Sequence, residues 1–209
     1  MTQIAKARQG IITEEMEQVA RSEGHSPETI RDSVARGEVV IPLNKKHRQV
    51  TPLGIGKGLR TKTNANLGTS KDQTDLALEI QKLDIAIRAG ADTIMDLSTW
   101  GPLNKIRQAI LERSTVPVGT VPVYQAAVEK VQQGQSIVEM SADDIFRAIE
   151  EQGEVGVDFI TVHCGVTRET VERMNREGRI LDVVSRGGVF LVEWMQYNRR
   201  ENPLYEDYD

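Results

Sequence analysis

The sequence predicts an α/β protein of the (β/α)8 TIM-barrel type, with about five of the eight βα units present and a small, mainly helical N-terminal subdomain over residues 1–60. Five short runs, 64–68, 92–96, 118–124, 159–163 and 183–188, each end in residues that bind or react rather than pack. Helix-length amphipathic segments separate them, which reads as parallel strands joined by right-handed crossovers. Polar residues close all five runs, as they do at the C-terminal face of a barrel. The competing architecture, an open doubly wound sheet, would gather ligand contacts at one switch point.

The elements follow in order. Thr13 is placed to cap a helix carrying Met16, Val19 and Ala20, with Gly24 as its stop. Ser26 before Pro27 starts a second, with Ile30 and Val34 on one face and Gly37 at its end. Val39, Val40 and Ile41 form a strand-like run closed by Pro42. The loop 54–60 alternates glycine and lies close to Lys57, Arg60 and Lys62; it reads either as a phosphate cradle or as a connector into the barrel. Residues 61–209 then hold the βα units. Leu76, Ile80, Leu83 and Ile87 make one helical stripe, closed by Ala89 and Gly90, and Leu103, Ile106 and Ile110 repeat it. Val128 and Val131 mark a shorter helix. Ser141 with Asp144 is a capping-box start for the helix of Ile145, Phe146 and Ile149, and Thr167 opens the next, with Val171 and Met174. Phe190, Trp194 and Tyr197 lie on a helix after the Gly187-Gly188 pair.

Composition limits the function classes. The formal net charge is −5, which argues against a general nucleic-acid or anionic-membrane surface. An aromatic content of 4% disfavours stacking platforms for single strands. No apolar run is long enough to span a bilayer, and residues 1–8 lack the apolar core of a secretory signal, so a cytoplasmic location is expected. Cys164 is the only cysteine, so this chain offers neither an intrachain disulfide nor a cysteine cluster site. His25, His47 and His163 show no paired metal-ligand spacing, and no metal site is expected within the chain.

His163 ends a strand of buried type, where one ring nitrogen can meet a ligand while backbone holds the other; the alternative is a core histidine satisfied by its neighbours. Ser185-Arg186-Gly187-Gly188 joins a hydroxyl, a fork of donors and exposed backbone N–H groups ahead of a helix, which suits an anion. The alternative is a turn with a salt-bridged arginine. Asn64 and Asn66 project to one side of the first strand and can read a ring nitrogen or a hydroxyl. Met95 ends the second strand beside Asp96, and Tyr124 offers a phenol over a cleft or covers the rim. Cys164 reads as a small buried residue. No lysine falls within the strand ends, Lys62 preceding the first, so a Schiff-base mechanism has little support, and no carboxylate pair suits glycoside chemistry. Together these residues describe a binding floor for a polar, phosphorylated small molecule.

The runs Thr63-Asn64-Ala65-Asn66-Leu67-Gly68-Thr69-Ser70, 90–99, 117–125 and Val183-Val184-Ser185-Arg186-Gly187-Gly188 strongly resemble the ThiC family of phosphomethylpyrimidine synthases. Gly10-Ile11-Ile12-Thr13 and Glu201-Asn202-Pro203-Leu204-Tyr205-Glu206 extend the resemblance over nearly the whole chain. It implies a radical S-adenosylmethionine (SAM) lyase that rearranges 5-aminoimidazole ribotide into the hydroxymethylpyrimidine phosphate precursor of thiamine. Carried over by position, it implies substrate contacts at Asn66, Met95, Tyr124, His163, Ser185, Arg186 and Gly187. It further implies a [4Fe–4S] cluster, zinc, an external reductant and a homodimer.

The family's cluster cysteines, metal-binding histidines and second phosphate loop should follow the point where these residues stop, so the chain alone is expected to be inactive. Thr63 and Leu67, and Trp100-Gly101-Pro102 where glycines are usual, depart from the family pattern. They keep open the related 5-hydroxybenzimidazole synthases, which use the same ribotide for a cobamide lower ligand. A non-catalytic ribotide-binding or assembly module is the alternative of another class.

Overall fold

The computed structural model describes residues 1–208 and shows a mixed α/β protein. Three short helices, α1 (Gln3–Arg8), α2 (Glu14–Glu23) and α3 (Pro27–Ala35), come first. Their starts are set locally. Thr13 Oγ1 accepts from Met16 N at 3.2 Å and Ser26 Oγ accepts from Thr29 N at 3.2 Å, each satisfying a first-turn donor with no partner inside the helix. Gly24 ends α2 in the left-handed conformation, which glycine enters without steric cost. Met16, Val19, Ile30 and Val34 bury their side chains together with Val39 of strand β1 (Val39–Val40).

Strand β1 pairs antiparallel with β2 (Ile55–Gly56), so the glycine-rich loop begins as a strand edge. Its cations are already committed: Lys57 pairs with Glu38, Arg60 with Asp92 and Lys62 with Glu23. The loop thus connects the small sheet to the main one, with its cations ion-paired.

The main sheet has four parallel strands in the order β3 (Asn64–Leu67), β4 (Thr93–Asp96), β5 (Val118–Thr120) and β6 (Phe159–Ile160). The order runs one way without the reversal that defines a doubly wound sheet. Helices α4 (Leu76–Arg88) and α5 (Leu103–Arg113) cover β3 and β4, burying Leu83, Ile94, Ile106, Ile110 and Val118. Helices α6 (Pro122–Gln132), α7 (Ala142–Val155), α8 (Arg168–Glu177), α9 (Arg186–Asn198) and α10 (Pro203–Glu206) follow, with a 3-10 turn at Ile137–Glu139. Ser141 and Asp144 cap α7 reciprocally, and Trp194 anchors the second core, its Nε1 donating to Met140 O at 2.6 Å.

The sequence expectation fails at three strands. The third run stops at Thr120 because Pro122 opens α6, so Tyr124 stands in a helix's first turn rather than on a strand end. The fourth run keeps only the half-buried Phe159–Ile160 as strand, so His163 lies in the loop three residues beyond it rather than ending a buried strand. The fifth run is no strand: α9 begins at Arg186, and residues 183–185 are a loop. A strand exists through its pairing. No backbone hydrogen bond joins 183–185 to β6, Asp182 turns the chain with φ of 47°, and Val184 is exposed. Among the described residues the main sheet has four strands, not five.

Gly119 faces Phe159 across the β5–β6 register, and a Cβ there would lie 2.7 Å from the ring's Cδ2 and closer still to the ring edge. Gly119→Ala is expected to cost about 1–3 kcal/mol by overpacking. Urea unfolding measures it, and an unchanged midpoint would refute the close fit.

Candidate functional site

An open cleft of about 620 Å³ lies over the C-terminal ends of β3 and β4. Asn66, Tyr124, Ser185 and Arg186 line it, bringing four of the seven sequence-predicted residues together. Asn66 is exposed at the end of β3, and its Oδ1 accepts from Asn64 Nδ2 at 3.4 Å. Tyr124 packs edge-on to Phe190, centroids 6.1 Å apart. The Arg186 guanidinium sits 5.7 Å from the Tyr124 ring centroid, a cation–π contact that holds the arginine over the cleft.

His163 and Gly187 stand behind Ser185. His163 Nε2 and Ser185 Oγ are 2.6 Å apart, and the same hydroxyl caps α9 by accepting from Gly188 N at 3.3 Å. Which of the two donates in that contact follows the imidazole tautomer. His163 Nδ1 is buried with no partner, and burial pushes the imidazole below its ordinary value, favouring the neutral ring. Gly187 is buried flat against that ring. Met95 does not line the cleft. It is 8% exposed and belongs to the core beneath, packed with Val123, Trp194 and the partly buried Tyr124.

The loops after β3 and β4 are locked together by close backbone approach. Gly68 has φ of 148°, and a Cβ there would meet Leu97 C and Ser98 N at 2.6 Å, so only glycine fits. Thr69 N donates to Ser98 Oγ at 3.1 Å, and Ser98 N to Asp96 Oδ1 at 2.9 Å. Asp96 is buried behind the floor, where desolvation pushes its carboxyl above the usual range. Thr99 N donates to Thr69 O at 3.0 Å.

Three contributors escaped the sequence reading. Thr99 Oγ1 accepts from Arg186 Nη1 at 3.3 Å. Asn202, fully buried, donates from Nδ2 to His163 O and Val166 O, both at 2.9 Å, and so holds the histidine's backbone. Lys82 enters the cleft from α4, ion-paired to Glu79. It lies beside the end of β3, not within it. The Asn202-Pro203 pair signals a helix cap, and Asn202 Oδ1 does accept from Leu204 N, but nothing local signals its long-range bonds.

Cys164 is partly buried and its thiol is pushed up by that burial, in keeping with an unreactive residue. Among the described residues no three His, Cys, Asp or Glu side chains group to hold a metal ion. No described helix is long and apolar enough to cross a membrane.

The parallel sheet and its helices define a mixed α/β protein with an open cleft at the strand ends, lined in part by Arg186 and the start of α9. The radical SAM ThiC family model matches residues 2–209. The chain belongs to that family. Over 209 residues it is 57% identical to the phosphomethylpyrimidine synthase of Syntrophus aciditrophicus, covering 100% of this chain and 49% of that protein. Identity is 57% to the synthase of Geobacter metallireducens and 56% to that of Moorella thermoacetica, each matched over 48% of its length. The chain thus spans about half the length of these curated relatives.

Proposed function

We propose that this chain is the ribotide-binding portion of a radical SAM phosphomethylpyrimidine synthase, with 5-aminoimidazole ribotide seated in the strand-end cleft. The observation that carries the reading is the union, in one cleft, of Ser185 and Arg186 at the N-terminus of α9 with Asn66 and Tyr124. A phosphate finds charge-assisted donors at Arg186 and free backbone N–H groups at the start of a 13-residue helix. The Asn66 amide and the Tyr124 phenol meet the polar edges of the ring and ribose. His163 acts through Ser185, the 2.6 Å contact between its Nε2 and the serine Oγ keeping the hydroxyl oriented. Met95 shapes the floor from beneath.

The family implies SAM and a [4Fe–4S] cluster, which together supply the radical chemistry when bound. The residues present do not fit the cluster: the chain has 1 cysteine, and the family's cluster takes three. Nor do they offer a zinc site among the described residues. In this reading those ligands, and the strands that close a barrel on β3 and β6, come from the half of the protein that these residues do not match. A homodimer and an external reductant belong to the same reading.

A second product is favoured by one feature. Trp100 follows Thr99, the residue that holds Arg186, and its backbone carbonyl accepts from Thr69 Oγ1 at 2.6 Å, so it adjoins two residues that line the cleft. Such a change suits a 5-hydroxybenzimidazole synthase working on the same ribotide.

The test is anaerobic turnover of the ribotide with SAM and a reductant, using the chain alone and together with the unmatched half of the Geobacter relative, alongside calorimetric ribotide binding. Turnover only in the combined protein is expected, and the product, pyrimidine phosphate or hydroxybenzimidazole, decides the branch. Arg186→Ala is expected to weaken ribotide binding roughly 10–100-fold, the worth of a charge-assisted hydrogen bond. Ribotide binding without turnover in any form would leave a binding module, and no binding at all would overturn the site.

A further inference from the structure

We propose that Lys82 is a second anion-binding residue of the cleft, which with Arg186 receives the phosphate of the bound small molecule. The inference rests on the ribotide reading for the identity of the ligand, though the anion site stands on its own geometry.

The first argument is charge. The chain has 31 acidic and 26 basic residues, yet among the described residues lining the cleft the only charged ones are Lys82 and Arg186. The carboxylate beside them, Glu79, is buried beneath Lys82 and offsets its charge, so the cleft is net positive through Arg186 and favours an anion. A phosphate monoester carries about −1.5 to −2 at neutral pH, so one arginine leaves part of that charge unmatched. Lys82, though paired with Glu79, adds a further N–H donor toward that charge.

The second argument is how Lys82 is held. Its ammonium pairs with Glu79 Oε1, and its Nζ stands 3.5 Å from Gly68 O. Glu79 is itself fixed, with 0% of its side chain exposed and its Oε2 accepting from Gly68 N at 2.9 Å. An ammonium has three donors, and these contacts use two. The side chain is 37% exposed and lines the cleft, so its remaining donor has access to a ligand.

The third argument is convergence. Lys82 meets the carbonyl of Gly68, while the next carbonyl, that of Thr69, accepts from Thr99 N and, at 3.3 Å, from Thr99 Oγ1. Thr99 Oγ1 in turn accepts from Arg186 Nη1. Successive peptide carbonyls therefore tie the two cations to one wall. If Lys82 served only to neutralise Glu79 and clamp Gly68, its exposure to the cleft would not be required.

The test uses calorimetric titration of the chain with the ribotide, with 5-aminoimidazole riboside, which lacks the phosphate, and with inorganic phosphate. The double substitution Glu79→Gln with Lys82→Gln removes the cation without stranding a buried carboxylate and keeps an acceptor for Gly68 N. It is expected to weaken ribotide and phosphate binding about 10–100-fold while leaving riboside affinity within a few-fold. Lys82→Arg should retain most of the affinity. Unchanged ribotide and phosphate binding in the double variant, or equal losses for ribotide and riboside, would overturn the proposal in favour of a turn clamp.

A measurement without substitution guards against misfolding of the variant. Saturating phosphate should slow acylation of Lys82 several-fold, read by peptide mass spectrometry, while the exposed Lys71 is labelled at its former rate. No protection of Lys82 would overturn the proposal. Phosphate binding that depends on Lys82, without ribotide binding, would sustain this inference and defeat the ribotide reading.

Discussion

Asp158→Ala is expected to lower the folding free energy by about 3–5 kcal/mol, the cost of removing a buried carboxylate from its hydrogen-bonded donors. The Asp158 carboxylate has 0% exposure and meets three donors: His47 Nδ1 at 2.6 Å, Val118 N at 2.8 Å and Asn44 N at 2.8 Å. The His47 side chain is 3% exposed, and its Nε2 faces Ser114 O at 3.2 Å, so both ring nitrogens have acceptors. The pair fastens the loop after β1 to the start of β5 and to the residue before β6. Losing the carboxylate strands two backbone N–H groups and an imidazole in a place water does not reach, and each such donor is costly. Glu177→Ala, which removes the exposed Arg173–Glu177 pair on α8, should leave stability nearly unchanged. Urea unfolding of both variants checks the contrast. Equal midpoints would mean that the clasp contributes no more than a surface pair.

That clasp also shows where sequence reading stops. His47 stood in a polar loop with no local sign of a partner 111 residues away. Helix starts were legible because their causes are local: Thr13, Ser26, Ser141 and Thr167 each cap a first turn within three residues. Strand starts were legible from β-branched runs, but strand ends were not, because a strand lasts only as long as its neighbour pairs with it. Val183 and Val184 have strand-like chemistry and no partner, and so form a loop. The site divides in the same way. Asn66, Tyr124, Ser185 and Arg186 were legible from residue type at a run's end. Met95 read either as a core filler or, from the family resemblance, as a substrate contact, and it packs in the core below the cleft; the alternation of a strand buried on both faces does not tell a lining residue from a packing one. Lys82 was hidden by its helix. It belongs to no strand end, and its fully buried partner Glu79 occupies a stripe position where periodicity alone would have sought an apolar side chain.

Gly187→Ala should separate stability from binding. Gly187 lies in the first turn of α9, where alanine is the better helix former by about 0.5–1 kcal/mol, so a helix-only account predicts a neutral or stabilising change. The site predicts the opposite for the ligand. A Cβ at 187 would lie 2.8 Å from His163 Nδ1 and 2.9 Å from Nε2, and closest to the Cε1 between them. All three are ring atoms, so the imidazole has to move as a body. Its backbone cannot follow, because Asn202 holds the His163 carbonyl, and the casualty is the 2.6 Å contact with Ser185 Oγ. With that hydroxyl released, ribotide affinity is expected to fall roughly 10–100-fold, the value of one strong hydrogen bond at the site. Gly188→Ala is the control. There the nearest atom is Val183 Cγ1 at 2.9 Å, the end of a side chain in a loop that can yield, so binding should change far less. Calorimetric ribotide titration with a urea melt of each variant reads both quantities. Unimpaired binding in Gly187→Ala would show that His163 and Ser185 do not act together on the ligand.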